Sequence, residues 1–195
     1  IYNPVLARAA QPRTASELAQ RAPLVLAAGR FAPYKNFPML VRAFAHVTYP
    51  GARLLLLGEG ADRPRIEAEI ARLHLGDRVT LAGYAPEPWS FYDRARVFAS
   101  SADSEAFGLV VVEALAYGLP VVSTRTEGPG EILDHGRFGA ITPLRDELAM
   151  AGALDAALAN PGDPAPRQAR ARAFSVEAAV DAYAALFDEI VREAR

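Results

Sequence analysis

The stretch Ser104-Glu105-Ala106-Phe107-Gly108-Leu109-Val110-Val111-Val112-Glu113-Ala114-Leu115-Ala116-Tyr117-Gly118-Leu119-Pro120-Val121-Val122 decides how the chain is read. It reads as a loop, a short helix from about Gly108 to Tyr117, a turn at Gly118 and Pro120, and a buried strand. Glu105 stands in the loop and Glu113 stands inside the helix, roughly 7–8 Å along the axis from Gly108 at about 1.5 Å per residue. Gly108 leaves the first-turn amides uncovered by a side chain, so an anion can approach the positive end of the helix dipole. A ligand with a diphosphate at one end and hydroxyls on either side would suit this layout. An ordinary solvated helix with two surface glutamates would also fit, so the choice turns on what the rest of the chain brings here.

Working outward, short apolar runs recur between helical patterns. Residues 24–29, 53–57, 79–82, 97–100, 121–123 and 140–142 read as six strands. Asn36 can cap a helix whose Leu40, Ala43, Phe44 and Val47 share one face. Ile66, Ile70 and Leu73 stripe a second helix, and Trp89, Phe91 and Tyr92 mark a short aromatic one. From Asp146 onward the pattern is helical, interrupted near Pro161 to Pro166. Alternating strands and helices predict an α/β fold, a doubly wound, six-stranded parallel sheet of Rossmann-like type in the order 3-2-1-4-5-6. That order makes strands 1 and 4 neighbours at the switch point, where ligands bind beyond the strand carboxyl ends. The loop after strand 1 carries Arg30 and Lys35, and the loop after strand 4 carries Glu105 and the bare helix start. Two cations, a carboxylate and a helix dipole are therefore expected together, and they can balance a diphosphate's charge of about two.

Composition removes several classes. The net charge of −2 gives no reason to expect nucleic-acid binding, and with no cysteine there is neither a disulfide framework nor a thiolate metal site. No apolar run is long enough to span a membrane. The basic residues number 21, and Lys35 is the only lysine among them. Three divisions are expected: residues 1–22 as an interdomain linker remnant, 23–174 as the main domain, and 175–195 as a closing amphipathic helix. In that helix Val176, Val180, Tyr183, Phe187 and Ile190 form one stripe, widened by Leu186 and Val191.

Gly29-Arg30-Phe31 with Lys35, the pair Glu105 and Glu113, and Gly118-Leu119-Pro120-Val121-Val122 together resemble the C-terminal nucleotide-sugar-binding domain of family 4 glycosyltransferases (glycosyl transferases group 1). The resemblance runs over residues 22–144 and takes in the closing helix. It implies a retaining enzyme of the GT-B architecture, with two Rossmann-like domains facing across a cleft. Arg30 and Lys35 would hold the diphosphate of a UDP- or GDP-linked sugar donor, and Glu113 would bind the nucleotide ribose. Glu105 would contact the donor sugar, and amides near Phe107, Gly108 and Leu109 would help hold sugar and phosphates. The backbone around Tyr84 would line the base pocket. Glu105, Arg30 and Lys35 would carry the catalytic role by stabilising charge on the leaving diphosphate, with neither metal nor further cofactor. The acceptor-binding domain expected upstream is missing, so the chain alone is expected to bind donor without turning it over. Its closing helix would offer an apolar face to that domain or to a second copy. The resemblance implies a cytoplasmic location, with the whole protein placed at the inner membrane face. The run Glu127-Gly128-Pro129-Gly130-Glu131 departs from the family's usual paired glycines, and it is expected to shape the donor-sugar pocket.

Other readings fare less well. Gly58-Glu59-Gly60-Ala61-Asp62-Arg63 mimics a dinucleotide fingerprint, but Arg63 stands where the third glycine belongs. Asp103-Ser104-Glu105 resembles a metal-binding triplet yet precedes a helix suited to phosphate. His46, His74 and His135 form no spaced ligand set, and no glycine-rich strand end carries the Lys-Ser/Thr pair of a P-loop. Two alternatives remain beside the transferase: a non-catalytic nucleotide-sugar-binding module, and a GT-B-like sugar-nucleotide epimerase.

Overall fold

The computed structural model describes residues 1–6, 11 and 13–193. Six parallel strands, β1 (Leu24–Ala28), β2 (Arg53–Leu57), β3 (Val79–Gly83), β4 (Val97–Ser100), β5 (Val121–Thr124) and β6 (Ala140–Thr142), form one sheet in the order β3-β2-β1-β4-β5-β6. The expected order is therefore the observed one. β1 lies in the middle, in register with β2 along its whole length (Leu24 opposite Arg53, Ala28 opposite Leu57) and with β4 at Val25↔Val97 and Leu26↔Phe98.

A parallel strand buried on both faces must be apolar at every position, yet its side chains still alternate. Val25 and Ala27 enter one core with α2 (Phe37–Ala45), α3 (Arg63–Arg72) and α7 (Glu147–Ala159). Leu26 enters the other, built on α4 (Trp89–Arg94), α5 (Leu109–Ala116), α6 (Glu127–Ile132) and α8 (Ala165–Arg172). Asn36 caps α2 as expected, its side chain accepting from the Met39 N–H at 3.3 Å, while its own backbone adopts φ +48°.

The segment 1–22 departs from a simple linker. Ala15–Gln20 forms helix α1, closed by a capping box between Thr14 and Glu17, and its Leu18 is fully buried in the second core. One turn and a half offers too few positions for a periodic signal, which is why composition alone dominated there. Residues 7–10 and 12 lie outside the described residues. At the other end, Ser175 caps α9 (Val176–Glu193) through its hydroxyl, which accepts from the Ala178 N–H at 3.1 Å. The apolar stripe of α9 is exposed, with Val180 at 59% and Phe187 at 61%. The first and last segments meet: Val5 N–H donates to Phe174 O at 2.8 Å and Val176 N–H to Leu6 O at 3.2 Å.

Gly58-Glu59-Gly60 has a packing role. A Cβ on Gly58 would lie 1.9 Å from the Gly29 carbonyl oxygen, and one on Gly60 would lie 2.3 Å from that of Phe31. These two glycines let the loop after β2 press onto the loop after β1, where Phe31 N–H donates to Glu59 O at 2.8 Å and Asp62 N–H to Phe31 O at 3.0 Å. Gly58→Ala should therefore destabilise the fold by about 1–3 kcal/mol, the usual range for strained or overpacked positions. Gly76→Ala, where the new methyl would meet open space, should stay within about 0.5 kcal/mol of the parent. Urea unfolding of both variants checks this; equal losses would mean that the close approach at Gly58 is not what makes glycine necessary.

Candidate functional site

The β1–β4 junction brings two loops to the carboxyl end of the sheet, and several bonds stitch them. Asp103 N–H donates to Tyr34 O at 2.8 Å, Ser101 Oγ donates to Lys35 O at 2.9 Å, and Asn36 Nδ2 donates to Asp103 Oδ1 at 3.1 Å. A Lys35–Glu105 ion pair completes the seam, both side chains being mostly buried. Lys35 itself sits in a short 3-10 turn, Pro33–Lys35, that delivers it to α2.

Glu105 leads into the start of α5. Gly108, the N-cap, takes φ +101° and carries no capping side chain, so the helix begins bare. Gly128 of α6 explains the shape of the loop before it. A Cβ there would lie 2.0 Å from the Phe107 carbonyl oxygen, and its N–H donates to Glu105 O at 3.0 Å. Pro129 closes on Gly108, at 3.4 Å from the site of a Cβ. The run 127–131 therefore acts on the site at one remove, by packing under the loop that holds Glu105.

All eight residues singled out in the sequence line one of two adjoining cavities that share Val110. The first, about 370 Å³, is walled by Arg30, Tyr84 and Glu113 together with Gly58, Glu59 and Tyr92. The second, about 400 Å³, is walled by Lys35, Glu105, Phe107, Gly108 and Leu109, with Asn3 at its edge. Arg30 is exposed, and Tyr84 stands 75% exposed at the rim of the first cavity. The sequence reading grouped Arg30 with Lys35; the structure puts them on neighbouring cavities, with Lys35 already held by Glu105.

Glu113 faces the first cavity from the flank of α5. Burial raises its carboxyl above the ordinary value of 4.5, and a hydrogen bond from Tyr92, whose hydroxyl lies 2.6 Å from Oε2, opposes that rise. Asn3 and Tyr92 were not legible as site residues, and Gly128 was read only as part of the run 127–131. Tyr92 in an aromatic helix looks like core, and Gly128 touches only backbone. Among the described residues no group of three or more His, Asp or Glu side chains could hold a metal ion, and no helix is long and apolar enough to cross a membrane.

Comparison with known proteins adds the following. The family profile described as glycosyl transferases group 1 matches residues 11–175. The chain is 35% identical over 139 residues to the lipopolysaccharide core biosynthesis glycosyltransferase LpsE of Rhizobium meliloti, covering 71% of this chain and 40% of that protein. It is 30% identical over 197 residues to LpsD of the same organism, covering 96% and 56%. Among solved structures, sucrose-phosphate synthase from Thermosynechococcus elongatus superposes with a TM-score of 0.76 at 30% identity, over 98% of this chain and 50% of that one. Anabaena HepE, solved with UDP and glucose, superposes with a TM-score of 0.79 at 22% identity, over 89% and 52%. The chain thus spans about half the length of these proteins, and the sheet order is that of their GT-B fold.

One expectation follows from the geometry of Glu113. Because its carboxyl is raised in the folded protein, the folded state holds the proton more tightly than the unfolded chain does. The contribution of Glu113 to stability is then greatest below the ordinary value of 4.5 and is lost as pH rises through the raised value. Glu113→Gln should flatten that slope and be no less stable than the parent at pH 7, since its amide oxygen can still accept from Tyr92. Urea midpoints measured against pH decide the matter, and an unchanged slope in the variant would remove Glu113 as its source.

Proposed function

This chain belongs to the glycosyl transferases group 1 family, and we propose that it is the donor-binding half of a retaining glycosyltransferase that takes a sugar from a nucleoside diphosphate. The observation that carries this is the convergence of Arg30, Glu113 and Tyr84 on one cavity and of Lys35, Glu105 and the bare start of α5 on the next. A nucleoside fits the first, with Glu113 accepting from ribose hydroxyls and the Tyr84 backbone beside the base. The sugar fits the second, with Glu105 beside it and the amides at Phe107, Gly108 and Leu109 near the phosphates. The diphosphate lies between, where Arg30 and Lys35 can reach it.

The chemistry follows from where charge develops. When the glycosidic bond to the diphosphate breaks, negative charge grows on the leaving oxygen. Arg30, Lys35 and the partial positive charge of the helix start, roughly half a unit, are placed to stabilise it. These groups supply about as much positive charge as a diphosphate carries, so we read donor binding as independent of a metal ion. The acceptor and its binding domain belong to the half of the protein that this chain does not span, and the exposed stripe on α9 is the face we assign to that half. A second copy on the same face is the competing occupant. The nucleotide is UDP or GDP, and UDP has the support that HepE was solved with it. A non-catalytic nucleotide-sugar-binding module would share the donor site, and sugar transfer by the whole protein separates the two.

The Lys35–Glu105 pair has one consequence for binding. Lys35 is already neutralised by Glu105, so a diphosphate must draw it away. Calorimetry with UDP and GDP, with and without a chelator, tests the reading, and binding that vanishes with the chelator and returns with Mg²⁺ would contradict it. Arg30→Ala and Lys35→Ala should each weaken the bound nucleotide by roughly 1.5–3 kcal/mol, the range for a charged hydrogen bond. Losses of the same size for the bare nucleoside would point to damaged folding instead.

Glu105→Gln should separate two contributions. With Lys35 released, UDP should bind at least as tightly as to the parent, while the gain from adding the sugar should shrink. A variant that weakens UDP as strongly as Lys35→Ala does would show that Glu105 is not Lys35's resting counterion.

A further inference from the structure

Glu113 is a poor ribose receptor if left alone. A glutamate on a helix flank rotates about three bonds, and burial drives its carboxyl toward the neutral form, which accepts fewer hydrogen bonds. Tyr92 answers both problems. Its hydroxyl donates to Oε2 at 2.6 Å, a short charge-assisted bond that occupies one of the roughly four acceptor positions of a side chain lining the cavity, leaving enough for two ligand hydroxyls.

Tyr92 is itself held from several sides. Its ring is fully buried between Phe98 of β4, at 5.8 Å, and Tyr117 at the end of α5, at 5.5 Å, each tilted by 24°. Trp89, the only tryptophan, continues the stack on Tyr117 at 6.3 Å. The backbone of α4 is pinned as well, because Arg21 Nη1 donates to Tyr92 O at 3.3 Å and to Ala95 O at 2.7 Å. A side chain so fixed aims its hydroxyl along one line, and Glu113 lies on that line. Burial also raises the Tyr92 hydroxyl well above its ordinary value of 10, so it remains a donor.

We propose that Tyr92 is the positioning residue of the nucleotide site: it locks the Glu113 carboxylate with two acceptor positions turned to the cavity, and so sets selectivity for ligands with a vicinal ribose diol. This rests on reading the first cavity as the nucleotide end of the donor site. Two acceptor positions on one fixed carboxylate match two neighbouring hydroxyls, and a wandering carboxylate would match them only part of the time.

The test compares UDP with 2′,3′-dideoxy-UDP by calorimetry on this 195-residue chain, with the GDP pair run alongside. Tyr92→Phe keeps the ring and removes the hydroxyl. It should lower the ratio of ribo to dideoxy affinity about three- to tenfold, the worth of one net hydrogen bond. In the double variant with Glu113→Gln the ratio should fall no further than in Glu113→Gln alone. Phe98→Leu loosens the stack that aims the hydroxyl, so it should cost stability and lower the ratio by less than Tyr92→Phe does.

The pH profile supplies a readout that a packing role would not move. The ionisable groups facing Glu113 are Tyr92 and, around the cavity, Arg30, Glu59 and Tyr84, with Tyr117 behind Tyr92. Loss of the hydroxyl removes the donor that favours the carboxylate, so the diol-dependent part of the affinity should disappear at a higher pH on acidification than in the parent. A measurement that leaves Tyr92 in place completes the set. With ring-labelled tyrosine, the Tyr92 Cζ resonance should move when UDP binds and stay put with the dideoxy analogue. A folded Tyr92→Phe with an unchanged ratio and pH profile, or equal resonance shifts for both ligands, overturns the role of Tyr92 alone. If neither UDP nor GDP binds the parent chain, the donor-site reading falls and takes this one with it.

Discussion

Everything in this site depends on the seam where β1 and β4 lie side by side. Two residue pairs register the strands, Val25 with Val97 and Leu26 with Phe98, and beyond them the ladder gives way to side-chain and loop bonds. Asp103, Ser101, Asn36 and Lys35 carry the pairing past the strand ends. A parallel sheet sends both chains out at the same edge, so the loops have no choice but to meet. What the sequence adds is polar chemistry at the meeting point, where a merely structural loop would need only turns. The Lys35–Glu105 pair is the informative part. A mostly buried pair costs desolvation on both sides and gives weak net stability, so stability does not explain its placement on a cavity wall.

The glycines around the seam do a different job from the one their pattern first brings to mind. Gly58 and Gly60 let two backbones touch, and Gly128 lets a helix end slide under the Phe107 carbonyl. Gly108 has a further role, presenting the bare start of α5 to the second cavity. Backbone-on-backbone packing of this kind fixes the height of the loops, because a carbonyl cannot rotate away as a side chain can. The cavity walls are therefore set by the main chain, and the few side chains that project from them inherit that rigidity.

Much of this was legible from residues alone. The six apolar runs, the sheet order and the eight residues around the two cavities follow from pattern, from the switch-point rule, and from a family resemblance resting on Arg30, Lys35, Glu105 and Glu113. Three things were hidden for physical reasons. Helix α1 is too short to show a period, although Thr14 and Glu17 spell a capping box. Tyr92 looks like any core aromatic until its hydroxyl is seen against Glu113. Asn3 reaches the second cavity from the far end of the sequence, and no local signal can announce a contact made at that separation. The exposed stripe on α9, in contrast, was readable in full, because a stripe wider than one contact face is visible in the spacing.

The sheet order also governs how the chain can be assembled in time. β1, β2 and β3 pair through nearby crossovers and can close early, but β1 gains its second neighbour only when Val97 and Phe98 arrive. Until then its far side is an open parallel edge of Val, Leu and Ala, the kind of surface that invites pairing with another chain. Lys35 waits at the end of that edge without Glu105. The seam that β4 closes and the candidate site are thus the same place, so a ligand that fits there would hold the two halves of the sheet together and stabilise the folded chain.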